Sequence, residues 1–363
     1  MTLVRIETET KLKKITYFIG AGASYHSLPL IKTMGNRMKA FSTYLKTQKN
    51  DPYFRVESLE SFITELDELI KINEESTSID AYAKELSNRG ENLKLQRLKV
   101  ILSCYLIFEQ LKKPNELVFY EKENDLIELP RDLQNSLMNQ LDKRYRTFWA
   151  DYIDGRDTSP SPNIRVLSWN YDMQFELSYS NFKQSSLELV QNEIQVFPSE
   201  LEKIDSSKFC ILKLNGTAGL YKDKKTDSKL KNLFDLQKHP LDKDNLNILL
   251  EFFKENYRRT NSKPIFSFAW ENDDVSNKTR EIAKEIISET DVLVIIGYSF
   301  PTFNKKIDRG IFQNIDNLKK VYFQAPKEEL KSLIDKLEGI NPKLKDITVG
   351  IDNLDTFHIP FEY

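Results

Sequence analysis

Apolar positions along this chain follow two rhythms that alternate in blocks. Residues 15–19 read Ile-Thr-Tyr-Phe-Ile, a β-branched and aromatic run that breaks abruptly into Gly20-Ala21-Gly22-Ala23-Ser24. Such a run predicts a strand buried in a parallel sheet. From about residue 33 to 158 the spacing becomes helical and glycines are few, predicting helices over 57–73, 78–88, 93–111 and 130–152. In the third of these, Leu98, Ile101, Leu102, Tyr105, Leu106, Phe108 and Leu111 form a broad apolar face. Thr158-Ser159-Pro160-Ser161-Pro162 is a turn signal. After it, strand-like runs return at 164–168, 209–214, 264–269, 292–297 and 321–324, with helical stretches between them that include 277–289 and 327–338.

Strand–helix alternation implies an α/β fold, a doubly wound, mostly parallel, Rossmann-like sheet with right-handed crossovers. The six predicted strands make up this sheet, and the helical block is a large insertion between the first two. The domain reading is therefore a discontinuous sheet domain, 1–35 with 159–363, and a helical insertion subdomain, 36–158. In such sheets ligands bind beyond the carboxyl ends of the strands. The residues there are small or carry amides: Gly20-Ala21-Gly22-Ala23-Ser24, Trp169-Asn170-Tyr171-Asp172, Asn215-Gly216-Thr217 and Gly297-Tyr298-Ser299-Phe300-Pro301.

The first of these turns suits a phosphate. Gly20 and Gly22 remove Cβ atoms where amides would meet an anion, and Ser24 adds a hydroxyl; a tight strand-to-helix turn without a ligand is the plainer alternative. A dinucleotide fingerprint of the dehydrogenase kind would need glycine at 25, which is Tyr25, and an acid some twenty residues on, whereas the first acid after Ser24 is Asp51. Asn170 and Asp172 also suit a helix start, an N-cap with an acid in the first turn.

Composition narrows the classes further. A net charge of -2 gives no basic field, so direct nucleic-acid binding is not indicated, and the mixed run 222–229 reads as a solvated loop. The two cysteines, Cys104 and Cys210, lie far apart in apolar runs with no Cys-x-x-Cys pair. They read as buried small hydrophobes, without a zinc ribbon or other metal site. No signal-like or membrane-length apolar run occurs, so the expectation is a cytoplasmic chain without a membrane span. No acidic cluster stands out to carry metal-dependent nuclease chemistry.

Taken together, the four strand-end motifs resemble the sirtuin-like family, in particular its bacterial antiphage branch that hydrolyses NAD. The resemblance covers residues 14–35 and about 163–330. It implies that Gly20, Ala21, Gly22, Ala23 and Ser24 hold the NAD diphosphate, and that Gly297, Tyr298 and Ser299 contact the phosphates and adenosine ribose. It further implies that Asp172 holds the nicotinamide carboxamide, that Asn170 orients water or a ribose hydroxyl, and that Gln324-Ala325-Pro326 lies at the adenine end. NAD enters as substrate, with no other cofactor. The resemblance implies an effector of the kind that commonly depletes NAD after infection and is held inactive until a partner or an oligomeric state triggers it. One subtype of similar size pairs with a HerA-type DNA-translocating ATPase, so a homo-oligomer and such a partner are expected.

The family's His-Gly after the third strand is Asn215-Gly216 here. An amide does not serve as general base at neutral pH. Either Asn215 orients water without taking its proton, or a histidine elsewhere substitutes, His26 being best placed, or the site binds NAD or ADP-ribose without chemistry, as a sensor. His26 as a plain loop residue is the structural alternative; His239 and His358 are weaker candidates. Leu30 and Lys32 stand where the deacetylases have an acid and an arginine, which argues against protein deacetylation. Trp169, Tyr298 and Trp270 read as packing residues, with Trp169 and Tyr298 also near enough to border a nucleoside.

Overall fold

Strand β1 (Ile15–Ile19) leads through α1 (Ile31–Thr47), α2 (Val56–Glu75), α3 (Ile79–Asn88), α4 (Asn92–Gln110), the strands β2 (Phe119–Lys122) and β3 (Asp125–Glu128), and α5 (Lys143–Tyr152) to β4 (Ile164–Ser168). Then come α6 (Gln174–Lys183), α7 (Leu187–Glu193), β5 (Val196–Phe197), β6 (Cys210–Lys213), β7 (Gly216–Asp223), β8 (Leu230–Asn232), α8 (Lys243–Arg259) and β9 (Ser262–Phe266). The chain closes with α9 (Asp274–Ser288), β10 (Val292–Ile296), α10 (Lys305–Phe312), β11 (Lys320–Gln324), α11 (Lys327–Ile340) and β12 (Thr348–Ile351). This computed structural model describes residues 12–363 except 77, 111–116, 132, 135–140, 154–158, 199–203, 224–229, 234–242, 260–261 and 314.

Seven of these strands form one all-parallel sheet in the order β12-β11-β10-β1-β4-β6-β5. The fold is Rossmann-like α/β. Helices cover both faces, which is why the central strands read as near-continuous apolar runs. On one face Phe18, Leu167 and Leu212 pack under α9, α10 and α11 through Ile286, Phe312 and Leu337. On the other, Tyr17, Val166 and Ile211 pack under α5, α6 and α7 through Phe148, Phe175 and Val190. Helix α5, inside the 36–158 stretch, thus belongs to the covering of the sheet.

A third core joins α1–α4 to a second, later insertion. Phe41, Phe62, Leu98 and Phe108 pack with Leu249, Phe253, Phe266 and Phe268. This corrects the expected strand 264–269. The strand observed there is β9, and it lies outside the parallel sheet, antiparallel to β7 in a three-stranded sheet β8-β7-β9. A lone apolar run carries no record of its partner, and the chain turns back from β6 within Leu214-Asn215 to start β7. The parallel sheet instead gains two edge strands, β5, only two residues long, and β12, a half-exposed Thr-Val-Gly-Ile segment, both too short to stand out as apolar runs. The expected helices 57–73, 78–88 and 93–111 appear as α2, α3 and α4. Part of the expected 130–152 helix lies outside the described residues, and α5 is its last segment. No helix among the described residues is long and apolar enough to cross a membrane.

Candidate functional site

Parallel register brings four strand ends to one line. Ile19 pairs with both Ser168 and Ile296, and Ser168 pairs with Lys213. The residues that follow, Gly20, Trp169, Leu214 and Gly297, therefore leave the sheet side by side. Connections from β1 and β10 run to opposite sides of the sheet, so the switch point lies between these two strands.

At that point the two loops touch through bare backbone. Gly22 N–H donates to Gly297 O at 2.9 Å, and Gly20 N–H donates to Ile296 O at 2.9 Å. Gly297 has φ +61°, and a Cβ there would stand 2.3 Å from Ala23 N. A Cβ on Gly22 would stand 2.8 Å from Gly297 Cα. Glycine at these positions is thus required for loop-on-loop packing. The amides of Gly20, Gly22 and Ala23, expected to face a diphosphate, donate here to carbonyls, Ala23 to Gly20 O at 2.9 Å.

The side chains meet on the β1–β4 side. Ser24 Oγ donates to Asp172 Oδ2 at 2.7 Å and lies 2.7 Å from Tyr145 Oη. A hydroxyl has one proton, so with Ser24 donating to the carboxylate, Tyr145 is the donor in the second bond. Asn170 Nδ2 donates to Gly20 O at 3.0 Å and reaches Ser24 Oγ at 3.4 Å. Because the Gly20 carbonyl only accepts, Asn170 must present its amide nitrogen there and its Oδ1 outward. Asp172 Oδ1 accepts from Gln174 N–H at 3.1 Å, in the helix-start role open to it from sequence, at the head of α6.

Buried charges hold this frame. Lys213 Nζ donates to Asp172 O at 2.6 Å and pairs with Glu176 at 3.2 Å, both side chains fully enclosed. Arg144 pairs with Asp142 at 2.6 Å and donates to Ala23 O at 2.9 Å and Gly22 O at 3.2 Å. The loop is therefore clamped from below by Gly297 and from above by α5.

A cavity of about 200 Å³ opens beside Ser24. One wall is the sheet edge: Ala21, Ser24, Trp169, Asn170, Tyr171 and Asp172. The other is supplied by the insertion, with Ile31 and Met34 from α1, Asn73 from α2, Ile79 and Asp80 from α3, and Leu102 and Leu106 from α4. Sites that enclose a whole drug-sized ligand occupy roughly 300–1,000 Å³. At about 200 Å³ this cavity is smaller than such sites.

Several expected site residues lie outside that cavity. Tyr298 is buried, stacked 6.0 Å from Trp169, with its hydroxyl donating to Asp308 at 2.9 Å. Ser299 is exposed, and its carbonyl accepts from Lys336 at 3.0 Å. His26 lies tilted against the Tyr25 ring at 4.3 Å, and burial followed by the Arg144 charge lowers its pKa. Asn215 is buried behind Tyr171: Oδ1 accepts from Arg280 at 3.0 Å, and Nδ2 reaches Tyr171 Oη at 3.4 Å. Gln324 spends its amide on the carbonyls of Asn353 and Thr356. His358 packs on Tyr322, and His239 lies outside the described residues.

Sequence reasoning missed Tyr145, Arg144, Lys213, Gln110 and Asp80. Gln110 Oε1 accepts from Met173 N–H at 2.6 Å, tying α4 to the head of α6. A polar residue next to last in the expected helix 93–111 was the available signal. Cys104 and Cys210 are buried and unbridged, and burial raises the Cys210 thiol to about 12. Among the described residues no group of three or more His, Cys, Asp or Glu side chains is arranged to hold a metal ion. No protein-family model matches this chain, and no curated protein matches its sequence.

Proposed function

We propose that this chain is an NAD glycohydrolase that converts NAD and water to nicotinamide and ADP-ribose. The observation that carries the reading is the convergence of Ser24, Asn170 and Asp172, from two strand ends, on one cavity. Asp172 has acceptor capacity left beyond its two protein donors, enough to take the carboxamide N–H of nicotinamide. Asn170 Oδ1, with no donor upon it among the described residues, is free to orient a water or a ribose hydroxyl. Cleavage passes through a cation-like ribose. Asp172, with its carboxylate fixed by Ser24 and Gln174 before substrate arrives, would then stabilise charge at little reorganisation cost. Apolar walls from α1, α3 and α4 would exclude bulk water. The sirtuin-like resemblance of the four motifs supports the same substrate, and with it an antiphage role, a homo-oligomeric state and a HerA-type ATPase partner.

A second reading, a sensor that binds NAD or ADP-ribose without cleaving it, is favoured by one observation. Asn215 stands where the family has its base, and its amide is committed to Arg280 and Tyr171. One experiment separates the two. Purified chain, alone and with a HerA-type ATPase, is incubated with NAD and nicotinamide is measured by chromatography. Release that Asn170→Ala lowers about 100-fold supports the enzyme. Saturable NAD binding with no release under either condition supports the sensor.

A further inference from the structure

The hydrolysis proposed above needs a group to take a proton from water, and among the described residues neither a histidine nor Asn215 lines the cavity. Among the described residues the cavity wall holds two carboxylates, Asp172 and Asp80. Asp172 is already engaged by Ser24 and by the amide of Gln174. Asp80 is different. It sits in the first turn of α3, just after the cap residue Ser78, whose hydroxyl accepts from Ala81 N–H at 3.1 Å. Among the described residues it makes no ion pair, and no donor meets its carboxylate. It lines the cavity in a wall that also carries Asn73, Ser78, Ile79, Leu102, Leu106 and Phe268.

Resting on the glycohydrolase reading, we infer that Asp80 is the general base that the strand-end motifs lack, supplied across the cavity by the helical insertion. The step balances without another reactant. The C1′–N bond breaks with its electron pair passing to the pyridine nitrogen, so nicotinamide leaves neutral. Water oxygen bonds C1′ and gives one proton to the Asp80 carboxylate, which releases it to solvent. Asp172 and Asn170 hold the substrate from the sheet side while Asp80 addresses water from the other.

Electrostatics agrees with the geometry. Burial raises Asp80 to about 6, which leaves it ionised at pH 7 and basic enough to accept a proton. Tyr171 feels its charge, and Glu271 and Arg280 act on Tyr171 from beyond. The insertion is then half of the active site, and a sheet domain lacking it would bind NAD without turning it over.

The test is the pH dependence of nicotinamide release by the full chain, with its partner if one is required. In the wild type kcat/KM should fall on an acid limb with a midpoint near pH 6. Asp80→Asn should lose that limb, lower kcat about 100-fold to 10,000-fold, and leave KM within about threefold; Asp80→Glu should recover part of the rate. Carbon-detected NMR titration of the aspartate carboxyls gives a readout free of turnover: one signal should titrate near 6 and vanish in Asp80→Asn. A wild-type limb absent near 6, no carboxyl titrating there, or Asp80→Asn at wild-type rate would overturn the assignment while leaving the hydrolase standing. No release by the wild type with any partner would overturn the hydrolase and Asp80's role together.

Discussion

Ser24 and Asp172 are separated by 148 positions in the chain, yet the serine hydroxyl donates to the carboxylate at 2.7 Å. The bond is possible because β1 and β4 are adjacent and in register, so the fifth residue past Ile19 and the fourth past Ser168 reach the same height above the sheet. Ser24 is the hub: it gives its one proton to Asp172 and receives hydrogen bonds from Tyr145 and Asn170.

Removing that hub leaves three buried groups short of a partner. Ser24→Ala should cost about 1–3 kcal/mol of unfolding free energy, read as a lower urea midpoint at unchanged slope. Tyr145→Phe alone should cost less, because Ser24 keeps its acceptor in Asp172. The double variant should cost less than the sum, with a coupling of about 0.5–3 kcal/mol. Strict additivity would mean that the two hydroxyls do not share a bond.

The Gly22–Gly297 contact gives a sharper stability prediction. Gly297→Ala combines left-handed strain of about 1–2 kcal/mol with overpacking of about 1–3 kcal/mol, since the new methyl meets backbone that cannot swing aside. Gly90 is the control: its φ is +70° but nothing lies within 4 Å of a Cβ there. Gly90→Ala should pay the strain alone. Thermal denaturation of the two variants should therefore differ by several degrees, with Gly297→Ala the lower. Equal shifts would show that the two loops part readily.

How much of this was legible in the chain depends on range. Strands such as 15–19 and 164–168 announced themselves because burial on both faces demands unbroken apolar runs, and the order of their ends followed from parallel topology. Strand β9 misled, because apolarity reports burial and says nothing about which sheet a strand joins. The site was visible only on its sheet side. Ser24, Asn170 and Asp172 sit at strand ends where chemistry is expected, whereas Asp80 and Gln110 lie in ordinary helical sequence. Their role exists only once the α1–α4 core places them across the cavity. The glycines at 20 and 22 were read as making room for phosphate, and the structure gives them, and Gly297, a packing reason.

Asn215 and Asn170 should separate by readout. Asn215 is an acceptor for the buried Arg280 guanidinium, so Asn215→Ala strands part of that cation and should lower stability by about 1–3 kcal/mol. Its effect on nicotinamide release should stay under about tenfold, because Tyr171 stands between it and the cavity. Asn170→Ala should behave in the opposite way, with a large loss in kcat and a modest one in stability. A kcat loss for Asn215→Ala as deep as that for Asn170→Ala would put Asn215 at the reacting centre.

Asp308 predicts how stability varies with pH. It is fully buried beneath Tyr298, whose hydroxyl donates to both carboxylate oxygens at 2.9 and 3.0 Å, and burial raises its pKa to about 8. In the unfolded chain an aspartate titrates near 3.9. Between those values the folded state holds the proton and the unfolded state does not, so this residue's contribution to stability is fully present below about pH 4. It is lost progressively as pH rises towards 8. Each unit of pH in that window removes at most about 1.4 kcal/mol. Asp308→Asn keeps an acceptor for Tyr298 but cannot ionise, so its urea midpoint should fall less than the wild type's between pH 5 and 8. The two curves should draw together at the acid end. Parallel curves across the window would mean that Asp308 is ionised in the fold and that its pairing with Tyr298 is that of a carboxylate.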